Sequence, residues 1–281
     1  EGQLLPLIVF VILLAAATGA LPARERDRLL ELGNALTAAL IKLVDWILWT
    51  APVGVFALAA PVTAQAGWAM LQSLAAFILA VLLGLVLLVV LVFLPSIRFL
   101  GGMSGVRFLK DSANALLIAV STSSSAATVP AMLEAAEEEM RLSRSVFSFV
   151  IPLGAQMGRM GTAVFQGAGV VFLAWLFQVP LPAASIGGAV LAVFIVSFTV
   201  AGIPAGGVVS LAPALGTVGI PLDGLGVLLG IDRIPDMART TANVAGILAA
   251  AVVTEGIVGE GGEAGASSSD PPSGSGERRF R

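Results

Sequence analysis

Histidine and cysteine are absent from all 281 residues, and only 12% of the residues are charged. These absences remove imidazole acid/base work, serine triads, thiolate nucleophiles, disulfides, cysteine-held clusters and most zinc sites. A conventional enzyme has little left to work with. The net charge of −3 comes without a basic tract, so the concentrated Lys/Arg surface that nucleic acid requires is missing. Soluble domains carry about a quarter charged residues. Here 57% of the residues are hydrophobic, which places the chain in a bilayer, with lipid and a small solute as partners.

The chain starts at Glu1, and the apolar run from Leu4 has neither the positive start nor the small-residue cleavage site of a signal peptide. A fragment whose beginning is absent is expected. Residues 2–23 carry no charge and supply one crossing at roughly 20 residues per helix. A polar break is expected at Arg24–Arg28, then a helix from Leu29 to about Ala60 with a kink at Pro52, then another over about 70–95. Residues 259–281 turn to Gly, Ser, Pro and Glu and are expected to be disordered. Glu134–Glu139 and Arg24–Glu31 read as solvated faces.

The middle is organised differently. Residues 107–121 form an amphipathic stretch too short to cross, ended by Ser123-Ser124-Ser125, and a second short helix follows from Val129 to Met140. Two short helices meeting at a polar tip suggest a re-entrant hairpin, the alternative being a cytoplasmic helical loop. Residues 145–178 read as a spanning helix interrupted at Gly158-Arg159-Met160-Gly161-Thr162. A second pair of short helices follows, about the corner Gly202-Ile203-Pro204-Ala205-Gly206-Gly207, and a last helix runs from about Leu222 to Val258. Interrupted segments in corresponding halves are the sequence sign of an inverted-repeat secondary transporter. The fold class expected is an all-α polytopic membrane protein with two re-entrant helical hairpins.

Asp232, Asp236, Arg239 and Asn243 in the last helix are spaced by four, three and four, so they share one face. Charges inside a membrane helix cost roughly 2.5–3.5 kcal/mol each, which makes this face a site. One reading has Asp236 and Arg239 neutralise each other while Asp232 and Arg233 reach an interface. The functional reading has Arg239 clamp a carboxylate through its two-pronged donors and Asp236 receive an ammonium, with Asn243 and Thr240 on the remaining oxygens. An acidic amino acid satisfies both groups. The hairpin tips, Ser123–Ser125 and Ile203–Gly207, offer helix-end N–H groups to an anion.

With these residues the chain resembles the dicarboxylate/amino acid:cation symporter family, which includes the excitatory glutamate transporters. The matching pieces are SSSAATVP at 123–130, PLGAQMGRMGTAVFQG at 152–167, VAGIPAGG at 200–207 and GIPLDGLGVLLGIDRIPDMARTTANVAG at 219–246. The resemblance implies a homotrimer in a bacterial inner membrane, moving substrate by an elevator motion. It implies a scaffold part at 1–69, the end of the fourth helix and the fifth. The transport domain would be 70–258: the sixth helix, hairpin 1 at about 106–140, a broken seventh helix at 144–178, hairpin 2 at about 183–218 and the eighth helix at 222–258. It assigns Asp236 to the substrate amino group, Arg239 to the side-chain carboxylate and Asn243 to the main carboxylate. Thr162 and Thr240 become substrate-proximal, Ser125 a first-hairpin contact, and Ile203 and Gly207 the second-hairpin gate.

Where the family's unwound motif reads Asn-Met-Asp-Gly-Thr, this chain has Gly158-Arg159-Met160-Gly161-Thr162, and a further oxygen-bearing cation position is Ile247. Asp232 and Asn243 remain. The sodium sites are therefore degraded, and Arg159 stands where a bound cation would sit, unless it is a structural pair for Asp232. The expectation is a secondary active transporter of glutamate or aspartate without strict sodium coupling, driven by protons or by exchange and needing no cofactor. A C4-dicarboxylate carrier and a substrate-gated anion channel or sensor on the same scaffold are the alternatives. A membrane-embedded hydrolase built on Ser123–Ser125 would lack a His or Lys partner.

Overall fold

The computed structural model describes residues 4–49, 51–197 and 205–266. Among them every regular element is helical. The chain divides into two compact units, Glu1–Gly54 and Val55–Arg281.

In the first unit α1 (Leu4–Gly19) joins α2 (Ala23–Trp49) through a short turn. The polar break falls at Ala20–Pro22 rather than at Arg24–Arg28, because Arg and Glu are good helix formers and Pro22 presets the entry to α2. α3 (Ala51–Leu88) carries Pro52; Thr50, which decides whether α2 and α3 form one helix with the kink expected at Pro52, lies outside the described residues.

α3 continues through a π-turn, Val89–Phe93, into α4 (Leu94–Phe99). Pro95 near the start of α4 cannot donate back to the preceding turn, and the wider π-turn absorbs that missing bond. The first short-helix pair is α5 (Gly105–Asp111) and α6 (Ala113–Thr122), then α7 (Val129–Glu134) with a second π-turn, Ala135–Glu139. Ser123 ends α6 in the left-handed region at φ 51°, and Thr128 Oγ1 donates to Ser124 O at 2.8 Å across the tip. α8 (Arg144–Met157) and α9 (Met160–Leu176) are one helix interrupted at Gly158-Arg159. The second short pair is α10 (Ala183–Ser197) with α11 (Gly206–Val209) and α12 (Ala212–Val218). Another interrupted pair follows, α13 (Gly224–Ile231) and α14 (Arg233–Ala266). The order of short pair, broken helix, short pair, broken helix is thus present.

α14 carries on past Val258 to Ala266 because extending a long helix requires only one new bond per residue fixed. The rest of the expected disordered tail, 267–281, lies outside the described residues, as does Ile203.

Two apolar cores lie on either side of α14. One joins Phe108, Met132, Phe147 and Ile151 to Val244, Ile247, Leu248 and Val252 of α14. The other joins Phe77 and Val81 of α3 to Phe165 and Leu173 of α9 and to Leu211 and Leu215 of the second pair. Three helical stretches among the described residues are long and apolar enough to cross a bilayer: Trp68–Phe99, Arg144–Leu176 and Arg233–Val258. This is a membrane protein. The polar residues of α14 lie between the two cores.

Candidate functional site

Asp232 occupies the junction of α13 and α14, and Asp236 follows one turn on, its N–H donating to Asp232 O at 2.7 Å. Both carboxylates meet Arg239. Its Nη1 and Nη2 donate to the two oxygens of Asp232 at 2.6 and 3.0 Å, and Nη2 lies 2.7 Å from Asp236 Oδ1. All three residues are at most 5% exposed. The guanidinium carbon stands 4.4 Å from the ring centre of Phe165 on α9, a cation–π contact strengthened by burial.

Asn243, one turn beyond Arg239, reaches the start of α9. Its Oδ1 accepts from the N–H groups of Gly161 and Thr162 at 2.8 and 3.3 Å, and its Nδ2 donates to Thr162 Oγ1 at 3.0 Å. These N–H groups belong to the first turn of α9, where a helix has no internal acceptors. The amide therefore completes the helix break. Thr240 is buried beside it.

The second short pair covers this face. Ala205, at φ 59°, caps α11 and donates its N–H to Asp236 Oδ2 at 3.2 Å. Gly207 follows. A Cβ there would stand 3.0 Å from Arg239 Cζ and 3.1 Å from Thr162 Cγ2, so only glycine lets the backbone lie against the guanidinium.

The first pair contributes through its tip. Ser125 Oγ accepts from Arg159 Nη1 at 3.2 Å, and Ser123 Oγ from Arg233 Nη1 at 3.4 Å. Ser124 Oγ accepts from Ala127 N at 3.2 Å and so serves the turn itself. Asp232 is held by Arg239, while Arg159 Nη2 donates to Ala155 O at 3.0 Å.

Gly158 and Met160 offer no side-chain oxygen. Ile247 fills the gap beside them: a Cβ on Gly154 or Gly158 would come within 2.8 or 2.9 Å of its methyl and methylene groups. Hydrocarbon therefore lines this part of the α8/α9 break.

Gln166 and Phe165 were not expected at the site. Gln166 is fully buried, one turn after Thr162, and its Nε2 donates to Gly207 O at 3.1 Å and Ser210 Oγ at 2.9 Å. An amide inside the run VFQGAGVVF, four residues after a site threonine, was a legible signal. Nothing in the sequence singled out Phe165 among 14 phenylalanines.

The sequence pattern described as the sodium:dicarboxylate symporter family matches residues 1–257. The chain is 36% identical over 256 residues to the proton/glutamate-aspartate symporter of Escherichia coli (strain K12), covering 90% of this chain and 57% of that protein. It is 32% identical over 253 residues to the proton/sodium-glutamate symport protein of Bacillus subtilis (strain 168), covering 90% and 58%. It is 36% identical over 250 residues to the human neutral amino acid transporter B(0), covering 88% and 46%. The chain spans about half the length of these relatives. With its helix order, its buried charged face and these matches, the chain belongs to the sodium:dicarboxylate symporter family.

Proposed function

We propose that this chain forms the substrate-carrying part of a secondary active transporter of acidic amino acids, glutamate or aspartate. The observation that carries the reading is Arg239, buried between two carboxylates under the backbone of Gly207. Arg239 keeps its two-pronged hold on Asp232, and a solute carboxylate takes the Nη2 donor that Asp236 holds. Asp236, released from Arg239, then faces the solute ammonium. Because Asp236 also holds the N–H of Ala205, the same exchange frees the covering segment, which makes occupancy and gating one event. Names of relatives support the solute class: glutamate and aspartate for the Escherichia coli protein and glutamate for the Bacillus subtilis one.

In the working transporter the piece 70–258 moves against 1–69 and the remaining scaffold by an elevator motion. The two short pairs serve as re-entrant hairpins, and the full-length protein is a homotrimer. Strict sodium coupling is not required, since Gly158, Met160 and Ile247 supply no side-chain oxygen; protons or solute exchange drive the cycle.

The test is counterflow of labelled L-aspartate and L-glutamate in proteoliposomes of the full-length protein. Saturable counterflow identifies a carrier; its absence, with a solute-gated current in its place, would refute this reading in favour of a channel. Asp236→Asn should weaken an amino acid by about 1–3 kcal/mol, because it removes the buried partner of the ammonium. Succinate, which has no ammonium, should be affected far less. Equal losses for both would remove the assigned role of Asp236.

A further inference from the structure

Four buried side chains among the described residues are ionic: Arg159, Asp232, Asp236 and Arg239. Within this buried set two guanidinium groups match two carboxylates, while Arg233, exposed, adds its charge at Ser123 of the first tip. Arg239 serves both carboxylates, and that trio alone would carry one net negative charge in a poorly solvating interior, which calls for a counter-charge. Arg159 supplies it.

Its position is also that of a cross-link. A continuous helix would give the Arg159 N–H to Ala155 O; at the break it goes to Met157 O instead, at 2.9 Å. The Arg159 side chain takes the carbonyl so released, and its other fork takes the Ser125 hydroxyl on the 123–128 tip. A main-chain carbonyl from an unwound turn and a hydroxyl are the oxygens a monovalent cation takes at a helix break. Around them stand Ile247, Gly154 and Gly158, and the described residues hold no group of three or more acidic side chains fit for a metal.

We propose that Arg159 is a tethered cation: it neutralises the substrate site together with Arg239 and ties the first hairpin tip to the α8/α9 break, so the site functions without bound sodium. This rests on the transport reading only for the solute used as a probe.

The experiment compares the full-length parent with Arg159→Lys, which keeps the charge, and Arg159→Met, which keeps much of the length without it. Labelled L-aspartate counterflow is measured with sodium or choline on both sides. The parent should differ by less than about twofold between the two ions, and Arg159→Lys should retain sodium-independent counterflow. Arg159→Met should fall about tenfold or more, as expected when a buried counter-charge is removed. A parent that needs sodium, or Lys and Met variants equally impaired, would overturn the proposal. A second arm uses no solute. Sodium chloride in place of choline chloride should leave the parent melting temperature within about 1 °C, because a ligand that does not bind does not stabilise. A sodium-dependent rise of several degrees would overturn the proposal even if Arg159→Met does not fold. Failure of counterflow with every acidic solute would refute the transport reading and leave this thermal result standing.

Discussion

Arg239 is the residue on which the site turns, and its neighbours show how narrowly its place is set. A methyl group on residue 207 would press on Cζ at 3.0 Å and on Nε at 3.1 Å. Gly207→Ala should therefore weaken solute binding by about 1–3 kcal/mol, the usual cost of overpacking. Gly216→Ala, on α12 with nothing within 4 Å of its new carbon, should leave the dissociation constant unchanged; isothermal titration on the pair decides it. Gln166 is a subtler case. Its Nε2 must face Gly207 O, since a carbonyl can only accept. That orientation leaves Oε1 as the one fully buried side-chain polar atom without a partner among the described residues. Gln166→Met removes two hydrogen bonds and one unsatisfied oxygen together, so stability should change by less than about 1 kcal/mol. Binding should weaken all the same, because the 205–210 segment loses its hold on α9. Thermal unfolding and solute titration on that variant separate the two effects, and equal losses in both would reduce Gln166 to packing.

Among the elements, α14 does the most. Its first turns hold the charged face, its middle joins both apolar cores, and its far end is clasped to its neighbours. Glu255 Oε2 accepts from the N–H and Oγ of Ser143 at 2.9 and 2.6 Å, tying the end of α14 to the N-cap of α8. Glu255→Ala should lower stability by about 1–2 kcal/mol, in the range for losing a cap or a charge-assisted bond, read as a fall in melting temperature with solute affinity unchanged. Nearby, a Cβ on Gly256 would overlap Leu100 O and stand 2.9 Å from Gly101 Cα. The backbones touch there, and Gly256→Ala should cost more than Glu255→Ala because a backbone contact has no rotamer by which to yield. The broken helices follow the same logic. Asn243 completes the start of α9 and the Arg159 side chain completes the end of α8, so the α8/α9 interruption is satisfied on both sides by polar groups that also belong to the site.

For the molecule as a whole, solute binding should stabilise the folded state by mass action, because the solute's carboxylate and ammonium take over the contact that Arg239 and Asp236 make with each other. A solute present at about 100 times its dissociation constant should add about 2.7 kcal/mol to stability. L-aspartate should therefore raise the melting temperature of the full-length protein in detergent. Succinate at the same multiple of its own constant should do so equally, whereas at equal concentration the amino acid should stabilise more. If no acidic solute shifts the transition, the charged face is a structural network.

The membrane class, the paired short helices, the interruption at Gly158–Thr162 and the residues of the polar face were legible in one chain, because composition reports the solvent and helical spacing reports the face; the break at Asp232, inside the helix expected over 222–258, was not. The i, i+4, i+7 and i+11 positions of Asp232, Asp236, Arg239 and Asn243 hold in any straight helix. The exact turns were less legible: the helix begins at Ala23 rather than Leu29, since propensity and proline placement outweighed charge in deciding where helix starts. What only the tertiary structure decided is partnership. Spacing suggested Arg239 with Asp236, a contact present at 2.7 Å, and an Arg159–Asp232 pair was one alternative, but Asp232 takes the two-pronged side of Arg239 and Arg159 reaches Ser125 and Ala155. Gln166, Phe165 and the close approach of Gly207 came from the packing of α9 and α11 on α14. Those contacts join residues tens of positions apart in the chain, and local periodicity carries no information about which long-range neighbour fills a buried donor.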